Sequence, residues 1–248
     1  MVVTLATRLT IPPPALLDDA SLFLDFDGTL VEIAATPEAV RVDAALPGLI
    51  ARLATRLRGR LAIVSGRAAA EIAALLGAPA VPIAGSHGME IVWPDGIRET
   101  VARPIGLADA LDRAHDFAAA QPGVLVEDKP LGVGVHFRGA PEAEHAALAL
   151  AEGLAATHGL HLQHGKMLVE LRAAGGDKGS AIRRLMREPG MGAGRPVFMG
   201  DDVTDEAGFA AAHALGGAGV LVGAERVTAA RHRLDDVAAA RRWLEAAA

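Results

Sequence analysis

Cysteine is absent from the 248 residues, so neither a disulfide framework nor a thiolate metal site can form. A chain without cysteine fits a reducing compartment, and the expected location is cytoplasmic. Tyrosine is absent too, and aromatics make up only 3% of the chain. No block of lysine and arginine interleaved with aromatics stands out, and the formal net charge is −6. Both features argue against nucleic acid as a partner. No run approaches the ~18 uncharged apolar residues of a membrane span. The opening MVVTLATRLTIPPPALLDDA also lacks the basic start, apolar stretch and cleavage site of a signal peptide. No membrane partner is expected.

What the chain does contain is core-forming material. Half of it is apolar (51%), and alanine, the best helix former, is abundant. The length suits one large domain or a core with a smaller insert. SLFLDF (21–26), RLAIVSGR (60–67), VPIAG (81–85), RPVFMG (195–200) and GVLVG (219–223) read as buried strands. Between and after them, helical spacing is found over 43–57, 68–76, 177–187 and 236–246. Thr204 is expected to cap a further helix, with Asp205 and Glu206 in its first turn. Prolines 12–14 suggest a short extended lead-in, and MEIVWPDGIRETV reads as a hairpin turning at Asp95 and Gly96. Strands alternating with helices predict an α/β fold, a Rossmann-like parallel sheet with helices on both faces.

The pattern is interrupted by helix (107–120), strand (124–129), strand (132–138), helix (141–157), strand (160–164) and strand (166–172). This αββαββ order predicts an inserted α+β unit. The expected division is core over 1–104, insert over 105–174 and core again over 175–248. Proline and glycine at the two crossings (103–106 and 173–176) suggest a hinge.

In open parallel sheets, ligands bind beyond the carboxyl ends of the strands. Here the first strand ends in Asp25, Asp27, Gly28 and Thr29, and the second in Ser65, Gly66 and Arg67. A later strand ends in Asp201, Asp202 and, a turn on, Asp205, while Lys178 opens the preceding helix. Taken singly, each is a turn residue or a solvated helix start. Together they crowd carboxylates that repel unless a cation is present. A hard cation such as magnesium takes carboxylate, water and phosphate oxygens. Three acidic positions, one lysine and one serine then suit phosphoryl transfer, with cation and lysine offsetting phosphate charge and the serine and backbone N–H groups holding its oxygens. One carboxylate would attack phosphorus, and a second, two residues on, would protonate the leaving oxygen and then activate water.

The order LDFDGTL, SGR, DKG, GDDVTDE resembles the four motifs of the haloacid dehalogenase superfamily of phosphohydrolases. GSHGMEI, VEDKPLGVGVHFR, GKMLVELR, GGDKGSAI and GDDVTDE together resemble the trehalose-6-phosphate phosphatase family. The resemblance implies Asp25 as nucleophile and metal ligand, Asp27 as general acid/base with its carbonyl on Mg2+, and Asp201 as a further ligand. It implies Ser65 and Lys178 as phosphate holders. Gly66, Arg67, Asp202 and Asp205 are expected to support the phosphate and metal. The insert is implied to be a cap gripping the sugar through Glu127, Lys129, Arg138, Lys166 and Glu170, with His87 and Gly88 on the core side.

Alternation along the insert strands adds an independent reading. Leu131, Val133, Val135 and Phe137 share a face, opposite Gly132, Gly134, His136 and Arg138. Met167, Val169 and Leu171 likewise oppose Lys166, Leu168, Glu170 and Arg172, and Glu127 and Lys129 lie on one side. The expectation is an apolar face covered by helices and an open polar face, a pattern that any half-buried sheet also shows. The partner implied by the resemblance is a small sugar phosphate; contact with a trehalose-phosphate synthase stays open. Other capped sugar phosphatases (for sucrose 6-phosphate or mannosyl-3-phosphoglycerate), a phosphotransferase and a catalytically silent sugar-phosphate sensor are the alternatives.

Overall fold

A computed structural model describes residues 9–34, 36 and 39–248. The first eight residues, part of the stretch read against a signal peptide, lie outside the described residues. The elements run β1 (Ala20–Leu24), α1 (Leu46–Arg56), β2 (Leu61–Val64), α2 (Ala69–Leu75), β3 (Ile83–Gly85), β4 (Glu90–Val92) and β5 (Arg98–Thr100). Then follow α3 (Leu107–Ala119), β6 (Leu125–Lys129), β7 (Gly132–His136), α4 (Glu144–His158), β8 (His161–Gly165) and β9 (Leu168–Arg172). The chain closes with α5 (Lys178–Leu185), α6 (Pro189–Gly192), β10 (Arg195–Gly200), α7 (Glu206–Ala214), β11 (Ala218–Val222), β12 (His232–Leu234) and α8 (Val237–Ala246). Two compact units result: Met1–Glu99 with Asp177–Ala248, and Thr100–Gly176.

The first unit carries an eight-stranded sheet in the order β12-β11-β10-β1-β2-β3-β4-β5. Its strands from β12 to β3 are parallel, and β4 joins antiparallel. Alternation along β1 divides the core. Leu22 and Leu24 enter a cluster with Leu49, Ile50 and Leu53 of α1 and Leu244 of α8. Phe23 points into the other cluster, with Ile182 and Leu185 of α5 and Phe209 of α7. Burying both faces is why these strands read as continuous apolar runs. On the second face Arg184 of α5 bonds Glu99 at 2.6 Å and stacks on Trp93, fastening the β4–β5 hairpin to that helix.

The second unit is a four-stranded antiparallel sheet, β6-β7-β9-β8. Val133, Val135, Val169 and Leu171 pack one face against Leu107, Ala110 and Ala114 of α3 and Ala147, Ala151 and Leu154 of α4. Both connecting segments are tied to this unit. Arg103 donates to the carbonyls of Lys129 (2.7 Å) and Pro130 (2.8 Å), and Arg172 Nη1 donates to that of Gly176 (2.7 Å).

Three expectations need correction. Thr204 does not cap a helix; Asp202 does, its carboxylate accepting from the Thr204 N–H at 2.7 Å, because 203–205 first form a 3-10 turn. The lead-in is extended only to Pro13, and Pro14–Leu17 is a 3-10 helix, which proline at its first position favours. The helix expected from Asp43 starts at Leu46, since Asp43 holds the Ala45 N–H in the preceding turn. Among the described residues no helix is long and apolar enough to cross a membrane.

Candidate active site

The candidate site gathers at the carboxyl ends of β1, β2 and β10, as an open parallel sheet dictates. Asp25 follows β1 directly, its N–H bonded to the Met199 carbonyl of β10 at 2.9 Å. Lys178, first residue of α5, brings Nζ to 2.8 Å from Asp25 Oδ1 and 2.6 Å from Asp205 Oδ1. The second oxygen of Asp205 accepts from the N–H groups of Asp201 (2.8 Å) and Asp202 (2.9 Å). Asp205 thus ties the β10 loop to the lysine. Asp25, Lys178 and Asp205 are all buried.

Asp201 faces the loop after β1. At Gly28 the backbone has φ +78°, and a Cβ there would stand 2.2 Å from Asp201 Oδ2. Only glycine meets both demands. Asp25, Asp201 and Asp205 can each bring a carboxylate oxygen within 4.8 Å of the others. The consequences are electrostatic. Burial pushes the Asp25 carboxyl well above the usual carboxylate range, against the pull of Lys178, and Asp205 and Asp201 add to the rise. Asp201 is pushed up to about 7, by burial first and then by Asp205 and Asp202. Burial alone would lower the Lys178 ammonium, but Asp205 and Asp25 hold it above its ordinary value. Three carboxylates against one ammonium leave surplus negative charge, and the donors are all oxygen. That set fits a hard divalent cation.

The loop after β2 supplies the opposite wall. Ser65 is buried, and its hydroxyl accepts from the Arg67 N–H at 3.2 Å. Arg67 grips Asp27 through Nε (2.6 Å) and Nη2 (3.0 Å). The His87 ring covers Gly66, where a Cβ would lie 2.7 Å from Nε2. His87 and Ser86 both adopt left-handed backbone (φ 57° and 49°), an arrangement that persists only when surroundings fix it. Here the His87 N–H is bonded to the Ser65 carbonyl (2.9 Å), and Ser86 donates to Glu90 from Oγ and to the Arg67 carbonyl from its N–H. Gly88 packs against the start of α5, where a Cβ would meet that of Ala181 at 2.7 Å.

In the second unit the strand register places Glu127, Gly134, Glu170 and Gln163 side by side across the sheet. Lys129 bonds Glu170 at 2.6 Å and reaches Glu127 at 3.8 Å, while His136 meets Glu127 at 2.9 Å. The face expected to be open is therefore closely paired, and Glu170 and Arg172 are buried. Arg138 donates from Nη2 to the Lys166 carbonyl at 3.3 Å, at the exposed end of the sheet.

A family model for trehalose-phosphatase matches residues 23–238. The chain belongs to the trehalose-phosphatase family. It is 40% identical over 226 residues to the trehalose-6-phosphate phosphatase of Escherichia coli, covering 90% of this chain and 84% of that protein. It is 38% identical over 209 residues to a probable trehalose-phosphate phosphatase of Sinorhizobium fredii, covering 84% and 79%. A crystal structure of a trehalose-6-phosphate phosphatase related protein superimposes with TM-score 0.75 at 30% identity, covering 90% of this chain and 95% of that one.

In this trehalose-phosphatase family chain, Asp25, Lys178, Asp201 and Asp205 converge on one buried cluster. The Asp27 carboxylate instead turns to Arg67. Sequence reading placed His136 on the polar sheet face but not among the sugar-binding residues, and it did not single out Gln163. Alternation marks the side on which His136 lies, but only the register shows that it meets Glu127. Gln163, whose Oε1 accepts from Arg172 Nε at 2.8 Å, carries no signal of its own.

Proposed function

We propose that the protein hydrolyses trehalose 6-phosphate to trehalose and phosphate through a phosphoryl group carried on Asp25. The observation that supports this most strongly is the buried Asp25 carboxylate held 2.8 Å from Lys178 Nζ at the end of β1. The Lys178 ammonium pulls against the burial that favours the neutral acid, and a divalent cation at the same oxygens would complete the ionisation of this nucleophile for a phosphate ester. Asp25 attacks phosphorus, and the bond to the sugar oxygen breaks as Asp27 protonates that oxygen. Asp27 then takes a proton from water, which attacks the phosphoryl group and frees Asp25. Lys178, Ser65 and the N–H groups about Gly66 hold the phosphate oxygens throughout. Asp25, Asp201 and the Asp27 carbonyl would hold a magnesium ion, which when bound offsets the joint charge of carboxylates and phosphate.

We assign residues 105–174 as a cap that recognises the sugar. Glu127, Lys129, Arg138, Lys166 and Glu170 supply its donors and acceptors, with His87 and Gly88 contributing from the core. Carboxylates accept from sugar hydroxyls and lysines donate to them, so binding energy from the non-reacting ring can support attack at phosphorus. The substrate is taken from the cytoplasm as a free sugar phosphate. Phosphate release from trehalose 6-phosphate, sucrose 6-phosphate, glucose 6-phosphate and mannosyl-3-phosphoglycerate tests the reading. Marked preference for the first is expected. Preference for another would retain the core chemistry and overturn the substrate assignment.

A further inference from the structure

Arg67 follows the phosphate-holding loop and is a natural candidate to bind phosphate itself. Its side chain does something else. Nε and Nη2 form a two-pronged contact with the two oxygens of Asp27, at 2.6 and 3.0 Å. Nη1 is taken by Glu71, one helical turn on in α2. Every nitrogen of the guanidinium thus has a carboxylate partner, and the side chain is only 11% exposed. The backbone on which it stands is fixed as well. The Arg67 N–H donates to Ser65 Oγ (3.2 Å), and its carbonyl accepts from the Ser86 N–H (2.7 Å). The Asp27 side chain is 32% exposed, and the residue lies in the turn closed by Gly28 N–H to the Val31 carbonyl.

We propose that Arg67 is a positioning residue that sets the direction of the Asp27 carboxylate, with Glu71 bracing the guanidinium from the other side. The proposal rests on the reading of Asp27 as acid and base. A planar fork matched to a carboxylate fixes orientation as well as distance, which a lysine ammonium cannot do. Proton transfer to the leaving sugar oxygen needs that orientation, because small misplacements of a catalytic group cost large factors in rate. A phosphate-binding arginine would instead act on the phosphate whatever the leaving group, and its loss would weaken inhibition by inorganic phosphate.

The test uses Arg67→Lys, Asp27→Asn and the double variant, with kcat, KM and inhibition by inorganic phosphate measured for trehalose 6-phosphate, and unfolding temperature recorded for each. Arg67→Lys should lower kcat about 10- to 100-fold while KM and phosphate inhibition stay put, and should cost nothing further in the Asp27→Asn background. With p-nitrophenyl phosphate, whose leaving group needs no proton, the loss in the first burst of p-nitrophenol should be smaller than the loss of kcat on trehalose 6-phosphate. Should Arg67→Lys fold poorly, Arg67→Ala with added guanidinium ion replaces it, rescue of kcat being expected only when Asp27 is present. Weakened phosphate inhibition, or equal losses in both backgrounds, would overturn the positioning role. Full kcat in Asp27→Asn would overturn the acid/base reading, and the proposal with it.

Discussion

Lys178 Nζ stands 2.8 Å from Asp25 Oδ1 and is held there by a second carboxylate, Asp205, at 2.6 Å. The ammonium is shared between a nucleophile candidate and a residue that organises the β10 loop through two backbone N–H groups. Removing it strands two buried carboxylates, and breaking such a pair costs about 3–5 kcal/mol. Lys178→Met should therefore lose both turnover and stability. Urea denaturation with a midpoint unchanged from wild type would show that the pairing carries little energy.

Gly28→Ala should be destructive although it adds one methyl group. The new Cβ would meet Asp201 at 2.2 Å on a backbone at φ +78°. A cost of about 1–3 kcal/mol follows from the clash and the left-handed backbone, and Asp201 must move to relieve it. Turnover should fall more than unfolding temperature suggests. Wild-type kinetics in this variant would mean that Asp201 has no fixed role.

Asp201, pushed up to about 7, links pH to metal. Between about pH 4 and 7 it keeps in the folded chain a proton that it loses in the unfolded one. The folded state then binds more protons, so this group's contribution to stability falls as pH rises through that window and is level above it. A cation competes with the proton for the same oxygens. Magnesium should accordingly raise the unfolding temperature more at pH 8 than at pH 6. A larger effect at pH 6 would contradict the assignment of Asp201 as a ligand.

Glu170 is buried and bonded to Lys129, so its effect should depend on the sugar. Glu170→Gln should cut kcat/KM for trehalose 6-phosphate by ~100-fold and leave p-nitrophenyl phosphate hydrolysis nearly intact. Equal losses on both substrates would remove this face from sugar recognition.

Much of this arrangement was legible in the sequence, and the exceptions have physical causes. The β1, β2, β10 and β11 strands announce themselves because both sheet faces are buried and every residue except the exposed Arg195 is apolar or small. The strand β12, His232–Leu234, gives no such signal: it is short, polar and at the sheet edge, paired to β11. The four-residue α6 holds two glycines, which oppose helix formation. In the candidate site, residue types at strand ends pointed to Asp25, Lys178 and Asp201. That Asp27 would turn to Arg67, or that Glu127, Lys129, His136 and Glu170 would form one linked group, depends on rotamers and strand register. Neither is written in spacing.

The central claim is that Asp25 carries the chemistry with a magnesium ion beside it. Phosphate release from trehalose 6-phosphate by wild type and Asp25→Asn, each with magnesium and with chelator, tests it most directly. The account predicts release by wild type with magnesium alone, and none by Asp25→Asn, with its unfolding still cooperative. Undiminished release by Asp25→Asn, or by wild type in chelator, would contradict it.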